Sequence, residues 1–428
     1  MNIGAVILVF SMILFMAIGA PIYLSIILSG LTTLACTGGT LQAVVSRLYT
    51  ANDSFPLLAI PFFFLAGELM LQGGIATRIV GFCRCLLGRI RGSLSVITFA
   101  SCAFFGAISG SSYATTASIG KLMYPEMCKE GYEPGFAAVL QAVGGTLGVL
   151  IPPSLLCVIY GVATGSSVGD MLLYIAPVGL LTTLAYIFTT LLLIRGKENR
   201  FYHPVGQSEA DSFSWRAVFR NFIGAFWALL TPTIILGGIY TGIFTPTECA
   251  VVATVYAWLI GMFVYKELDL KITMKAVLNS AIGSASIIII VNSANVFSWL
   301  LTVKNVASTV ANAVGSAHLT PALFLLLVNI VYLVAGMFVE GSVTITIITP
   351  LLFPIAHAFG LNPIHFGVIT ILNCIIGTLT PPFGGALFVT AGITQIPVTT
   401  LVKRVWPFVL AGVATILLVT YVPFIWLY

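Results

Sequence analysis

Apolar runs of about 20 residues follow one another along nearly the whole chain, the length an α-helix needs to cross the hydrocarbon of a bilayer. Between them lie only 18 basic and 13 acidic side chains, 7% of the 428 residues, where a soluble domain carries about 25%. With 59% hydrophobic residues, too little polar material exists to cover a surface facing water. The runs lack the ten-residue alternation of barrel strands, so the backbone must satisfy itself within helices. The expected fold class is an all-α polytopic membrane protein.

The net charge of +5 comes from short clusters between the runs, so it speaks to membrane orientation and offers no continuous face for nucleic acid. Cys36, Cys102, Cys157, Cys249 and Cys374 lie in apolar segments, and Cys83 and Cys85 have the wrong spacing for a zinc or redox pair. They read as small buried hydrophobes. The opening MNIGAVILVF has no basic stretch ahead of it, so no cleaved leader is expected. No HExxH, Walker A or dinucleotide motif occurs, which argues against an enzyme and leaves an existing ion gradient as the energy source.

Spans are read at 3–18, 22–36 and 55–73, with an amphipathic stretch at 41–53. Residues 93–124 form a re-entrant hairpin, 136–168 a broken helix and 171–194 a span, followed by the polar loop 195–220 with Arg195, Lys197, Arg200, Arg216 and Arg220. The second part reads as spans within 221–303, a hairpin at 320–356, a broken helix at 363–395 and a last span at 405–427. Basic loops at 78–91, 195–220 and 266–275, with Lys403 and Arg404, fall on one side, which is cytoplasmic by the positive-inside rule. Both termini then lie outside.

Sliding the chain by 229 residues aligns 112–153 with 341–382 without a gap. Pro125, Gly131, Pro134, Gly148, Pro152 and Pro153 meet Pro354, Gly360, Pro363, Gly377, Pro381 and Pro382. Chance seldom puts punctuation residues in register. The charge pattern sets Gly131 inside and Gly360 outside, so the chain divides into two repeats of inverted topology, 1–220 and 221–428, with scaffold helices at 1–91 and 221–303. This is the construction of secondary transporters.

Chemistry is expected where helices are interrupted. Pro152-Pro153 and Pro381-Pro382 withhold two successive N–H groups, so the carbonyls of Gly148, Val149, Gly377 and Thr378 should lack helical partners. Bare carbonyls are costly in hydrocarbon unless something such as a cation binds them. The hairpin tips, Gly106 to Ser112 and Glu340-Gly341-Ser342-Val343-Thr344, offer hydroxyls and carbonyls for a hard cation and helix N-termini for an anion.

Other polar residues have local readings. Glu248 in Thr245-Pro246-Thr247-Glu248 fits a capping box. Glu68, inside 55–73, is either functional or interfacial. Lys121, Arg89 and Arg91 read as interfacial anchors, and His318, His357 and His365 sit near outer ends without ligand spacing. Ser109 in GAISG has a faint likeness to an intramembrane protease serine, but no histidine base lies inside a span.

Six motifs in order carry a likeness to a known family: IPFFFLAGELM (60–70), GRIRGSL (88–94), FFGAISGSSYAT (104–115), GGTLGVLIPPS (144–154), GLNPIHFG (360–367) and GTLTPPFGGALFVTAGI (377–393). Over essentially its whole length the chain resembles the large membrane subunit of tripartite ATP-independent periplasmic (TRAP) transporters, the DctM-like permeases. The resemblance implies a sodium-coupled elevator-type symporter that works with a separate four-helix membrane subunit and a soluble periplasmic binding protein. It implies two or more sodium ions, one site using Ser109, Gly110, Ser111 and Ser112 with Gly145 and Gly148, the other Gly341, Ser342 and Thr344 with Gly377 and Thr380. Substrate, a small carboxylate or sulfonate, is expected to meet Ser111, Tyr113, Thr115, Pro153, Ser342, Thr346 and Pro382. Family members often carry Gly-Pro where this chain has Ser112-Tyr113. A bulky residue at Gly377 or Ser111 is expected to abolish uptake while leaving assembly intact. The alternatives are a stand-alone sodium-coupled anion carrier, a channel and an intramembrane protease.

Overall fold

The computed structural model describes residues 3–38, 40–87, 92–195, 201–203, 215–304 and 320–422, apart from the side chains of residues 5 and 215–218. Arg89, Arg91, Lys197, Arg200 and His318, the side chain of Arg216, most of the 195–220 loop and residues 423–427 of the last span lie outside the described residues. The first part comprises α1 (Ile3–Ala17), α2 (Ile22–Thr37), α3 (Leu41–Thr50), α4 (Ala59–Gln72) and α5 (Ile75–Leu87). A hairpin of α6 (Ser93–Ser109) and α7 (Ser112–Lys129) follows, then α8 (Pro134–Leu150), α9 (Leu155–Thr164) and α10 (Val168–Leu193). The second part comprises α11 (Trp215–Tyr240), α12 (Pro246–Leu259), α13 (Leu270–Val303), a hairpin of α14 (Pro321–Phe338) and α15 (Gly341–Ala358), then α16 (Pro363–Gly377), α17 (Gly385–Thr394) and α18 (Val398–Tyr421). Among the described residues, eight helices are long and apolar enough to cross a membrane, or nine if the bent pair α8 and α9 counts as one span.

The 229-residue offset reappears in the helix boundaries. Shifted by that amount, both ends of α7 fall on both ends of α15. The same shift lays α3 and α4 together on the single 34-residue α13. The difference is local: Asn52, Asp53, Ser54 and Pro56 interrupt the first copy where the second carries Ala281, Ile282, Gly283 and Ala285. Proline withholds a donor, and short polar side chains compete for backbone groups.

Equivalent turns lie at opposite ends of one helix. Glu133, after the α7 turn, pairs with Arg404 near the start of α18 at 3.4 Å. His365, after the α15 turn, bonds the Val419 carbonyl near its end through Nε2 at 3.1 Å. Fifteen residues separate Arg404 from Val419, about 22 Å along the axis. The end marked by Arg404 also holds a Tyr132 to Tyr202 bridge and the Glu133 N–H donated to the Phe201 carbonyl at 2.9 Å. Charges gather there too: Arg84 and Lys129 flank Glu126 at 3.5 and 3.1 Å, and the Lys129 bond holds that carboxyl below its ordinary range.

Three sequence boundaries move. Pro397 stands at the N-cap of α18, so Lys403 and Arg404 lie on the helix instead of before it. Asp269 caps α13 by accepting the Ile272 N–H at 2.6 Å, which puts Lys271 and Lys275 on the helix as well. The arm of the first hairpin runs on to Lys129, past Pro125. Thr245 and Glu248 form the expected capping box, Glu248 accepting the Thr245 N–H at 2.8 Å.

The halves are tied together through their broken helices. α9 packs on α15 and α17 packs on α7, so each hairpin meets the far part of the other half's broken helix. Tyr160 on α9 donates its hydroxyl to the Pro363 carbonyl at 2.7 Å. Around α8 a cluster of Phe99, Phe136, Tyr186 and Phe408 joins α6, α8, α10 and α18. In the second half a buried polar chain does comparable work: Asn373 donates to Asn329 at 2.8 Å, and Asn329 donates to Thr420 at 3.1 Å. Asn329→Leu breaks both links and is expected to lower stability by about 1 kcal/mol, read as a reduced midpoint of thermal unfolding in detergent. An unchanged midpoint would show that the chain does not clamp α14, α16 and α18.

Candidate site between the hairpin tips

The first tip is built by one glycine and one serine. α6 ends at Ser109, and Gly110 turns the chain at φ +61°, a left-handed conformation that favours glycine, while its N–H bonds the Gly106 carbonyl at 3.0 Å. Ser111 then caps α7 by accepting the Ala114 N–H at 3.4 Å. A Cβ on Gly110 would lie 2.8 Å from the Pro153 carbonyl, so the tip rests directly on the first helix break. Thr115 donates to the Ser111 carbonyl at 2.8 Å, and its hydroxyl meets that of Ser109 at 3.0 Å. Gly148 and Gly145 have no side chain because the Ser111 and Ser112 carbonyls come within 2.7 and 3.0 Å of where a Cβ would stand. Ser109, Ser111, Ser112, Thr115, Gly145, Gly148 and Pro153 therefore share one small region.

The two breaks differ. α8 and α9 meet at a bend of 46°, and the groups four residues beyond Gly148 and Val149 are prolines with no N–H to give. In the second break the Gly377 carbonyl accepts the Thr380 N–H at 2.8 Å and the Thr378 carbonyl accepts the Ala386 N–H at 3.2 Å. Neither donor is the helical one four residues on, which Pro381 and Pro382 withhold, so both carbonyls find partners outside the helical pattern. Thr380 donates within a tight turn, whereas the chain beyond Pro382 folds back to bring the Ala386 N–H to Thr378, aided by Gly384 at φ +55°. Thr380 turns its hydroxyl onto the Ile376 carbonyl at 2.9 Å.

The second tip departs from the first in charge. Glu340, the residue equivalent to Ser111, stands at the N-cap position of α15 without a side-chain cap bond, and its carboxylate accepts the hydroxyl of Ser342. Thr344 donates to the Glu340 carbonyl at 3.1 Å and Thr346 to that of Ser342. Gly341 packs on α9, where a Cβ would lie 3.0 Å from Leu156.

Both tips open on one cavity of about 310 Å³. Gly110, Ser111, Ser112 and Tyr113 line it from the first tip and Glu340, Gly341 and Ser342 from the second. Phe64 and Glu68 on α4, Ile287 on α13 and Thr378 at the second break complete the polar and scaffold-side wall. Ser109, Thr115, Gly145, Gly148, Pro152, Pro153, Thr344, Thr346, Gly377, Thr380, Pro381 and Pro382 stand behind this surface and do not line it. Sequence reasoning placed Glu340 in the second tip without a role for its carboxylate, assigned none to Phe64 and left Glu68 open. An acidic residue flanked by apolar runs was the available signal. Among the described residues Ser109 bonds a hydroxyl and a carbonyl and no base, so they do not form the geometry of a serine protease there. Among the described residues no group of three or more His, Cys, Asp or Glu could hold a transition metal.

Known proteins place this architecture. The family described as "Tripartite ATP-independent periplasmic transporter, DctM component" matches residues 9–425. The C4-dicarboxylate TRAP transporter large permease protein DctM of Pseudomonas aeruginosa is 38% identical over 397 residues, 92% of this chain and 91% of that one. The sialic acid TRAP transporter large permease protein SiaM of Vibrio cholerae is 35% identical, covering 91% of this chain and 90% of that one. The isethionate TRAP transporter permease protein DctMQ of Oleidesulfovibrio alaskensis is 38% identical, this chain spanning 64% of its length. In fold, the chain resembles the Alcanivorax borkumensis YdaH transporter, with a TM-score of 0.63 at 14% identity over 89% of this chain and 87% of that one. Helical architecture, order of motifs and family match agree: this multi-pass membrane protein belongs to the DctM family of large permease components of tripartite ATP-independent periplasmic transporters.

Proposed function

We propose that this chain is the permease through which a small organic anion, handed over by a periplasmic binding protein, is imported across the inner membrane by symport with sodium. The observation that carries the reading is the convergence of both hairpin tips on one cavity. Helix N-termini at Ser112 and Gly341 present partial positive charge to an anion. Serine and threonine hydroxyls and the carbonyls of the first break provide oxygen ligands for sodium ions that travel as cargo. The first sodium ion is assigned to Ser109, Gly110, Ser111 and Ser112 with Gly145 and Gly148. The second is assigned to Gly341, Ser342 and Thr344 with Gly377 and Thr380. Each sodium moving down 100 mV releases about 2.3 kcal/mol, so two ions suffice to concentrate a monoanion. The relatives' names offer C4-dicarboxylates, isethionate and sialic acid as the range of substrates.

The opposite placement of equivalent turns along α18 supports reading the chain as antiparallel halves. In that reading hairpins and broken helices move as a block against α4, α12 and α13, the elevator mechanism, and both termini lie in the periplasm. A separate four-helix membrane subunit is the expected partner. The test is uptake into proteoliposomes holding the permease, that subunit and the binding protein. An inward sodium gradient should drive accumulation and an equal potassium gradient should not. Equal uptake in both would remove sodium from the mechanism.

A further inference from the structure

Anion carriers need countercharge, yet the wall of this cavity holds two carboxylates, Glu68 and Glu340, and no lysine, arginine or histidine. Resting on the transport reading above, we infer that the cavity selects a polyhydroxylated monocarboxylate of sugar-acid size over an unsubstituted dicarboxylate. The two acids enter from different parts of the fold, Glu68 from α4 and Glu340 from the second tip. Glu340 is exposed and lines the cavity. It is bonded only within its own tip, by Ser342, and has no ion-pair partner among the described residues. Glu68 has Asn279 and Lys275 of α13 near it, both outside the cavity wall.

An ionised carboxylate is acceptor-only and offers about four lone-pair directions, so both acids keep acceptor capacity toward the cavity. A ligand carboxylate is repelled from them and must sit at the N-terminus of α7, whose N-cap is Ser111, with the sodium ions, and not at the N-terminus of α15, where Glu340 stands. The rest of the ligand then faces acceptors and needs donors, which hydroxyls supply and a second carboxylate does not. Tyr113 and Ser111 add hydroxyls that donate or accept. The volume of about 310 Å³ is at the small end of ligand pockets, about 300–1,000 Å³, which fits one pyranose ring.

The experiment is ligand-induced thermal stabilisation of the purified full-length chain, in sodium and in potassium. The probes are galacturonate, a hydroxylated monocarboxylate, and adipate, a dicarboxylate of the same carbon number without hydroxyls. Galacturonate should stabilise the chain in sodium at concentrations at least tenfold lower than adipate. Glu68→Gln and Glu340→Gln should each shrink that preference about tenfold or more. If Glu340→Gln does not fold, Glu68→Gln decides alone. Sodium-dependent binding of adipate as tight as that of galacturonate, or an unchanged preference in Glu68→Gln, overturns the inference while the transport reading stands. Absence of stabilisation by either anion in sodium also overturns the inference, whereas the transport reading stands or falls on sodium-driven uptake in proteoliposomes.

Discussion

Ser111→Phe is expected to reduce sodium-driven uptake at least a hundredfold in a protein that still assembles. Ser111 lines the cavity and is only partly buried, so a phenyl ring has room to enter without displacing helix packing. Once inside, it occupies the space of a small anion in a cavity of about 310 Å³. It also removes the cap that accepts the Ala114 N–H, a loss of about 1 kcal/mol, too small to unfold the chain. Ser111→Ala separates the effects, since it removes the cap without filling the cavity. Initial uptake rates in proteoliposomes and the elution profile of the purified variants provide the readout. Uptake within a few fold of the parent in Ser111→Phe would show that substrate does not pass this tip.

Gly377→Leu should fail for a different reason. A Cβ on Gly377 would stand 2.7 Å from the Cα of Gly336 and 2.9 Å from the Leu333 carbonyl, both backbone atoms of α14. Such contacts are relieved only by separating two helices, at a cost on the order of 3 kcal/mol or more. The variant is expected to give little monodisperse protein and a strongly lowered unfolding midpoint. The sequence-based expectation that a bulky residue here spares assembly is therefore reversed for Gly377. The first half has the same design, a Cβ on Gly106 falling 2.6 Å from the Cα of Gly148. Close approach of small residues is how membrane helices gain packing contact where lipid supplies no hydrophobic drive. A Gly377→Leu protein that purifies and unfolds like the parent would refute this packing role.

The fold was legible where covalent constraints act locally. Proline withholds an N–H wherever it stands, so Pro152-Pro153 and Pro381-Pro382 mark breaks between α8 and α9 and between α16 and α17. Gly110 and Thr245-Glu248 likewise act within a few residues of chain. The start of α18 was less legible because a basic pair, Lys403-Arg404, reads as a loop although Pro397 opens the helix earlier. The site was legible in part. Its tips follow from small residues between apolar runs, whereas the Thr378 carbonyl finds its donor at Ala386 only once the chain beyond Pro382 folds back.

The sequence by itself determined that the chain lives in lipid, is helical and repeats at an interval of 229 residues, because hydropathy, missing donors and punctuation residues need no knowledge of neighbours. Only the tertiary structure decided that Glu68 and Glu340 share one cavity and that Gly148 and Gly377 are packing surfaces. Glu68 and Glu340 lie 272 positions apart, and no local rule sets which distant backbones will come within van der Waals reach. That is set by how helices pack, and packing depends on shape across the whole assembly.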